Sequence, residues 1–144
     1  MIYLDTSAFL KLYLREKSSE FVQRYVEGQD QPVPIVDVLE WEFANALRLK
    51  VFWHELDDAT VEHLLARFDN RLRRGQYAAV EIDVTRRTKD LRHILLHTPT
   101  AGSRTLDLLH VATAMQLSPE YFLSFDDRQR SIAESVGLQV LPRG

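Results

Sequence analysis

Five short apolar runs alternate along this chain with segments of helical period, and no other feature restricts the fold as much. Ile2–Leu4 stops at Asp5 and is followed by Thr6-Ser7 and an apolar stretch over 8–14, which reads as buried strand, carboxylate, helix. A helix is predicted over 18–26, capped by Ser18 or Ser19 and stopped by Gly28. Around Pro32 and Pro34, Val33, Ile35 and Val36 form a short strand. Asp37 with Glu40 then resembles a capping box opening a helix over 38–52. Val61, Leu64, Leu65, Phe68 and Leu72 share one helical face and predict a helix from Asp57 or Asp58 to Arg74, ended by Gly75. Alternating Val80, Ile82 and Val84 predict a strand within 78–84, after which Thr85 caps a helix that ends before Pro99. Residues 101–103 read as loop, and Ser103 or Thr105 as the cap of a helix reaching Leu117. A strand over 121–125 ends at Asp126-Asp127, and a helix to Val136, closed by Gly137, leads into a last strand over 138–141.

This alternation implies right-handed βαβ units, hence an α/β fold: a mostly parallel sheet of four or five strands with helices on both faces. A chain of 144 residues, 45% of them hydrophobic, is expected to form a single domain over 1–144. The absence of cysteine excludes disulfide frameworks, thiol catalysis, iron–sulfur clusters and thiolate zinc sites. No apolar run approaches the roughly 20 residues of a spanning helix, and no signal peptide is visible. Neither membrane insertion nor export is expected, and the cytoplasm is the expected compartment. Between Arg67 and Arg104 stand nine Arg/Lys against four Asp/Glu in a chain of net charge −3, so a basic middle lies between acidic flanks.

In an open parallel sheet, reactive groups collect at the carboxyl ends of the strands. Asp5 and Asp126 directly follow predicted strands, and Glu42 and Asp107 lie in helices leaving the same edge. Carboxylates gathered in one pocket repel and raise one another's pKa, so such a cluster calls for a cation. Oxygen donors without cysteine or paired histidines suit Mg²⁺ or Mn²⁺ better than Zn²⁺. Such an ion polarises a phosphoryl oxygen, activates a water and neutralises the leaving oxygen, as phosphodiester hydrolysis requires.

The segment Tyr3-Leu4-Asp5-Thr6-Ser7-Ala8-Phe9-Leu10-Lys11-Leu12-Tyr13 resembles the opening motif of PIN-domain ribonucleases, in particular VapC-type toxins of bacterial toxin–antitoxin pairs. Glu42-Phe43-Ala44-Asn45-Ala46-Leu47 is similar to the second acidic motif of that family. The run from Thr105 to Ala114 resembles the third, and Phe122-Leu123-Ser124-Phe125-Asp126-Asp127-Arg128 the fourth, where Thr is commoner than Ser124. The match runs from Tyr3 to the final strand, in order and at family spacing.

The resemblance implies a PIN-like three-layer α/β/α fold. Asp5, Glu42, Asp107 and Asp126 become the catalytic and metal-binding acids, with Thr6 or Ser7 as a supporting hydroxyl. The implied activity is Mg²⁺- or Mn²⁺-dependent endonucleolytic cleavage of RNA, leaving 5′-phosphate and 3′-hydroxyl ends. The implied partners are the RNA substrate, a VapB-like antitoxin covering the acidic pocket and a second copy of the chain. Asp127 departs from the pattern, since it can share or replace the role of Asp126. Arg104, nearest the third motif, is the expected phosphate contact.

Each acid also has an ordinary structural role open to it. Asp5 can cap the following helix, Asp107 can sit in a first turn for the sake of the helix dipole, Glu42 can be a solvated helix residue, and Asp126-Asp127 can be a turn and cap. His110 reads as a hydrogen-bonded packing residue, with a role beside the acids as the alternative. The basic set Arg67, Arg71, Arg73, Arg74, Arg86, Arg87, Lys89, Arg92 and Arg104 reads equally as an RNA-backbone surface or as solvated helix faces. Trp41 and Trp53 read as core or partner-interface aromatics. Two rival functions stand beside the nuclease: a catalytically silent PIN-fold module that binds RNA or protein, and a small-molecule phosphatase. The phosphatase lacks a second carboxylate two residues after Asp5.

Overall fold

The computed structural model describes all residues from Met1 to Gly144. Three-residue strands whose side chains are all buried need cover on both faces, and this is how β1 (Ile2–Leu4) and β2 (Val33–Ile35) lie. The first helix, α1 (Thr6–Leu10), follows β1 at once, and α2 is Ser19–Glu27. After β2 come α3 (Asp37–Phe52), α4 (Asp58–Arg73), β3 (Tyr77–Ala79), α5 (Val84–Ile94) and a short turn of helix α6 (Thr98–Ala101). The chain closes with α7 (Thr105–Leu117), β4 (Tyr121–Leu123), α8 (Asp127–Ser135) and β5 (Val140–Leu141).

All strand pairs are parallel. One sheet runs β1-β4-β5, the other pairs β2 with β3, and β2 packs beside β1. The expected α/β fold with five parallel strands is present, in two short sheets. Leu108, Val111, Ala112 and Ala114 bury α7 against α5, α8 and α3, so its apolar character extends around the helix. On the other side Phe9, Tyr13, Phe43, Phe68 and Tyr77 interlock with ring centroids 4.8 to 6.0 Å apart, tying α1, α3, α4 and β3 together. No helix is long and apolar enough to cross a membrane.

Several local expectations are corrected. The third strand is Tyr77–Ala79, earlier than the Val80-Ile82-Val84 alternation, because its partners are Val33–Ile35, and 80–83 continues without a ladder. Asp83, not Thr85, caps α5 by accepting from the Arg86 N–H. The Asp37/Glu40 capping box does not form: Val36 holds the cap position, and the Asp37 carboxylate turns to Arg87. The helix expected to end before Pro99 stops at Ile94, and a 3₁₀ turn and α6 carry the chain past the proline. Trp41 and Trp53 are 62% and 55% exposed, which removes them from the core. Gly75, at φ 76°, ends α4 as the pattern predicts.

Candidate active site

The carboxyl ends of β1 and β4 place Asp5 and Ser124 side by side. Asp5 leaves β1 with its N–H bonded to the Leu123 carbonyl at 3.1 Å, and its side chain caps α1. Oδ1 accepts from the Ala8 N–H at 2.9 Å and the Ser7 hydroxyl at 2.6 Å, and Oδ2 accepts from the Ser124 hydroxyl. Ser7 Oγ in turn accepts from the Phe125 N–H, and Ser124 Oγ from the Asp126 N–H, so two hydroxyls lace the loops after β1 and β4 together. Asp5 is 1% exposed. Burial raises its carboxyl above the usual range, although His110, the two serines and the Ala8 N–H oppose the shift. Asp5 thus caps α1 while lying at the carboxyl end of β1 beside Ser124.

Glu42, on α3, lies behind. Its Oε1 accepts from the Thr6 hydroxyl at 2.8 Å and from His110 Nε2. Burial alone would raise Glu42, but the hydrogen bond and charge of His110 and the Thr6 hydroxyl outweigh it and hold the carboxyl below its ordinary value. His110 is buried, and its Nδ1 lies 2.7 Å from the Tyr3 hydroxyl. Both ring nitrogens of His110 therefore have partners, Glu42 at Nε2 and the Tyr3 hydroxyl at Nδ1. His110 is thus a buried, hydrogen-bonded residue that touches Glu42. Burial, and then the charges of Asp5 and Glu42, raise the Tyr3 hydroxyl well above its ordinary pKa, keeping it protonated. Tyr3→Phe would leave Nδ1 unpaired while preserving the ring stacked on Phe122. It is expected to destabilise the fold by about 1–2 kcal/mol, seen as a lower urea midpoint with an unchanged slope.

Asp107, in the first turn of α7, accepts from the Arg104 N–H at 3.3 Å. It is half-buried, and burial, then the negative charge of Asp126, raise its carboxyl, with Glu42 adding to the shift. Asp126 is exposed and caps α8 by accepting from the Gln129 N–H, while the Gln129 amide reaches the Asp107 carbonyl at 3.3 Å. A depression of about 290 Å³ opens between Arg104, Asp107, Asp126, Asp127 and Arg128. Asp107 and Asp126 thus share a solvent-facing pocket with Asp127 and two arginines. Asp5 and Glu42 sit behind it, engaged by hydroxyls and His110, and no three of the acids stand together as a ready metal cage.

Of the nine basic residues, Arg104 lies at this pocket. Arg87 is buried against Asp37, with NH1–Oδ1 at 2.6 Å and NH2–Oδ2 at 2.9 Å, and so presents nothing to RNA. The Tyr3 contact and the Asp37–Arg87 pair were not predicted from the sequence. Tyr3 carried a signal, as a hydroxyl inside an otherwise aliphatic strand.

A family model described as PIN domain matches residues 2–135. Ribonuclease VapC46 of Mycobacterium tuberculosis is 29% identical over 143 residues, covering 97% of this chain and 95% of that protein. Among solved structures, FitAcB from Neisseria gonorrhoeae superposes with a TM-score of 0.71 at 18% identity, covering 99% of this chain and 97% of that one. Mycobacterium tuberculosis VapC20, a sarcin-ricin loop cleaving toxin, gives 0.69 at 13% identity over 96% of each chain. VapBC2 from Rickettsia felis, bound to a DNA fragment from its promoter, gives 0.67 at 13% over 97% of each. With the strand order, the acids at the carboxyl edge and a family match over nearly the whole length in agreement, this chain belongs to the PIN-domain family.

Proposed function

We propose that the chain is a Mg²⁺- or Mn²⁺-dependent endoribonuclease, the toxin half of a toxin–antitoxin pair, acting as one cytoplasmic domain over 1–144. Asp5, Glu42, Asp107 and Asp126 form its acidic site. The observation that carries this reading is the pocket in which Asp107, raised by burial and by Asp126, faces Arg104 and Arg128. Acids crowded together favour a cation, and arginines at their rim favour a phosphate. A phosphodiester held beside a metal ion satisfies both.

The donors fit a hard cation, being carboxylate oxygens in a chain without cysteine. Mg²⁺ keeps several waters and takes one or two carboxylates, so Asp107 and Asp126 would suffice without a three-acid cage. When bound, the ion supplies a polarised phosphoryl oxygen and an activated water. Asp5, fixed by Ser7 and Ser124, sets the loop that carries Asp126, and His110 and Thr6 fix Glu42 behind Asp107. Exposed Arg104 orients the substrate phosphate, and Thr6 and Ser7 support the acids. The relatives' names support an RNA substrate and an antitoxin partner. A second copy of the chain completes the proposed assembly.

The test is cleavage of a pool of single-stranded and structured RNAs by antitoxin-free protein, with Mn²⁺, Mg²⁺ or a chelator. Discrete products with 5′-phosphate ends are expected only with metal. The same ions should raise the melting temperature of the intact chain and not that of Asp107→Asn. Folded protein that neither cuts nor responds to the ions would favour the silent binding module.

A further inference from the structure

We propose that the cavity between α2 and α4 is a second anion site, which takes a phosphate group on the forks of Arg67 and Arg71. The cavity holds about 270 Å³ and is lined by Gln23, Glu27, Arg67, Arg71, Gln76 and Tyr77, with two aliphatic side chains. It lies at the amino end of the β2-β3 pair, because Tyr77 begins β3 and pairs with Val33 at the start of β2. None of these residues lines the depression at Arg104, Asp107, Asp126, Asp127 and Arg128, so this cavity is separate from the acidic site.

Both guanidinium groups are already ordered. Each guanidinium carbon stands 5.2 Å from the centroid of the buried Tyr13 ring. Arg71 also donates to the Tyr77 hydroxyl at 2.9 Å, and that oxygen lies 2.9 Å from the Tyr13 hydroxyl. Neither arginine has a carboxylate within 4.0 Å. Glu27 lines the cavity without reaching either of them, and its Oε1 accepts from the Gln23 amide at 3.0 Å. Two half-buried like charges one helical turn apart repel, and a charge withdrawn from water normally has a partner.

An oxyanion supplies that partner. A carboxylate matches a single fork, whereas a phosphate presents three non-bridging oxygens and can take a fork from each arginine. The side-chain amide of Gln76 adds a further donor, and Glu27 can accept the remaining P–OH of a hydrogen phosphate. The phosphate is either free or carried on a small metabolite, and the two sources share this chemistry.

The probe is inorganic phosphate, titrated calorimetrically into the full chain against chloride at equal ionic strength. Saturation at one site is expected, with a rise in melting temperature that chloride does not produce. Arg67→Gln and Arg71→Gln should each weaken phosphate at least about tenfold. Arg71→Lys should fail to restore it, since a point charge does not replace a fork. The Arg67 side chain makes no hydrogen bond within the protein, so its variant keeps the test decisive if Arg71→Gln unfolds. Arg48→Gln, an exposed arginine that lines neither pocket, should bind phosphate as the unaltered chain does. Glucose 6-phosphate separates the sources: tighter binding than phosphate, lost in Arg67→Gln, means a carried group, and equal or weaker binding means free phosphate. No response beyond chloride, an unchanged response in Arg67→Gln, or loss in Arg48→Gln would overturn the site.

Discussion

Asp5→Asn is expected to reduce RNA cleavage at least about 100-fold while raising the melting temperature of the metal-free protein at neutral pH. The loss of activity follows from the position of Asp5 behind the acidic pocket, where its charge adds to the pull on a cation. The gain in stability follows from the sign of its pKa shift. Burial raises the Asp5 carboxyl above the ordinary 3.8 in the folded chain, so within that window the folded state binds more protons than the unfolded state. Stability contributed by this group falls as pH rises through the window and stays low at every higher pH. Asparagine removes the charge but keeps an acceptor for the Ala8 N–H, since it caps helices as well as aspartate does. Its Oδ1 still accepts from Ser7, and its Nδ2 faces Ser124, whose hydroxyl can rotate to accept. The stabilisation should be full at neutral pH and vanish in acid below the ordinary carboxylate range. Thermal melts across that range in chelator, with cleavage assays in Mn²⁺, check both halves. Full activity in the variant would sink the acidic-site assignment, and a lower melting temperature would show that the cap, not the desolvated charge, dominates at Asp5.

The same residue shows why much of the site was legible in the sequence. A buried strand ends where the apolar run ends, so Asp5 after Ile2–Leu4 and the loop before Asp126 after Tyr121–Leu123 are placed by local pattern, and parallel pairing puts both at one edge. Asp107 was readable as a first-turn acid of a helix whose apolar content was plain. What local pattern does not carry is the choice of partner. Glu42 reads as a residue beside an inward stripe, yet its environment is set by Thr6 and His110, 36 and 68 residues away. The Val80-Ile82-Val84 alternation looks more strand-like than Tyr77-Ala78-Ala79, but ladder bonding to Val33–Ile35 decides which residues are strand. Arg87 stands among basic neighbours and reads as part of a charged surface, while the fold turns it inward to a carboxylate 50 residues earlier.

That inward turn sets the second large effect: Arg87→Met is expected to destabilise the fold by about 3 kcal/mol at neutral pH. The Arg87 side chain is 9% exposed and that of Asp37 is 29% exposed, and their two parallel hydrogen bonds join the first turn of α3 to α5. Thr113 on α7 accepts a third, longer bond at 3.4 Å from the same guanidinium. Removing Arg87 leaves the Asp37 carboxylate without its counter-charge, and that loss, rather than the intrinsic strength of the pair, sets the size of the effect. Arg87 holds the Asp37 carboxyl below its ordinary 3.8, so the stability it contributes is present above that value and is lost as pH falls through the lower, folded value. The deficit of Arg87→Met should therefore be largest at neutral pH and shrink in acid, where Asp37 protonates. The double variant Asp37→Leu with Arg87→Met removes both charges and should recover most of the stability, because apolar side chains of similar volume can replace a buried pair. Denaturant titrations of the single and double variants at two pH values give the coupling directly. A single variant within 0.5 kcal/mol of the unaltered chain, in the range of ordinary surface changes, would show that Arg87 faces solvent after all and would return it to the basic surface.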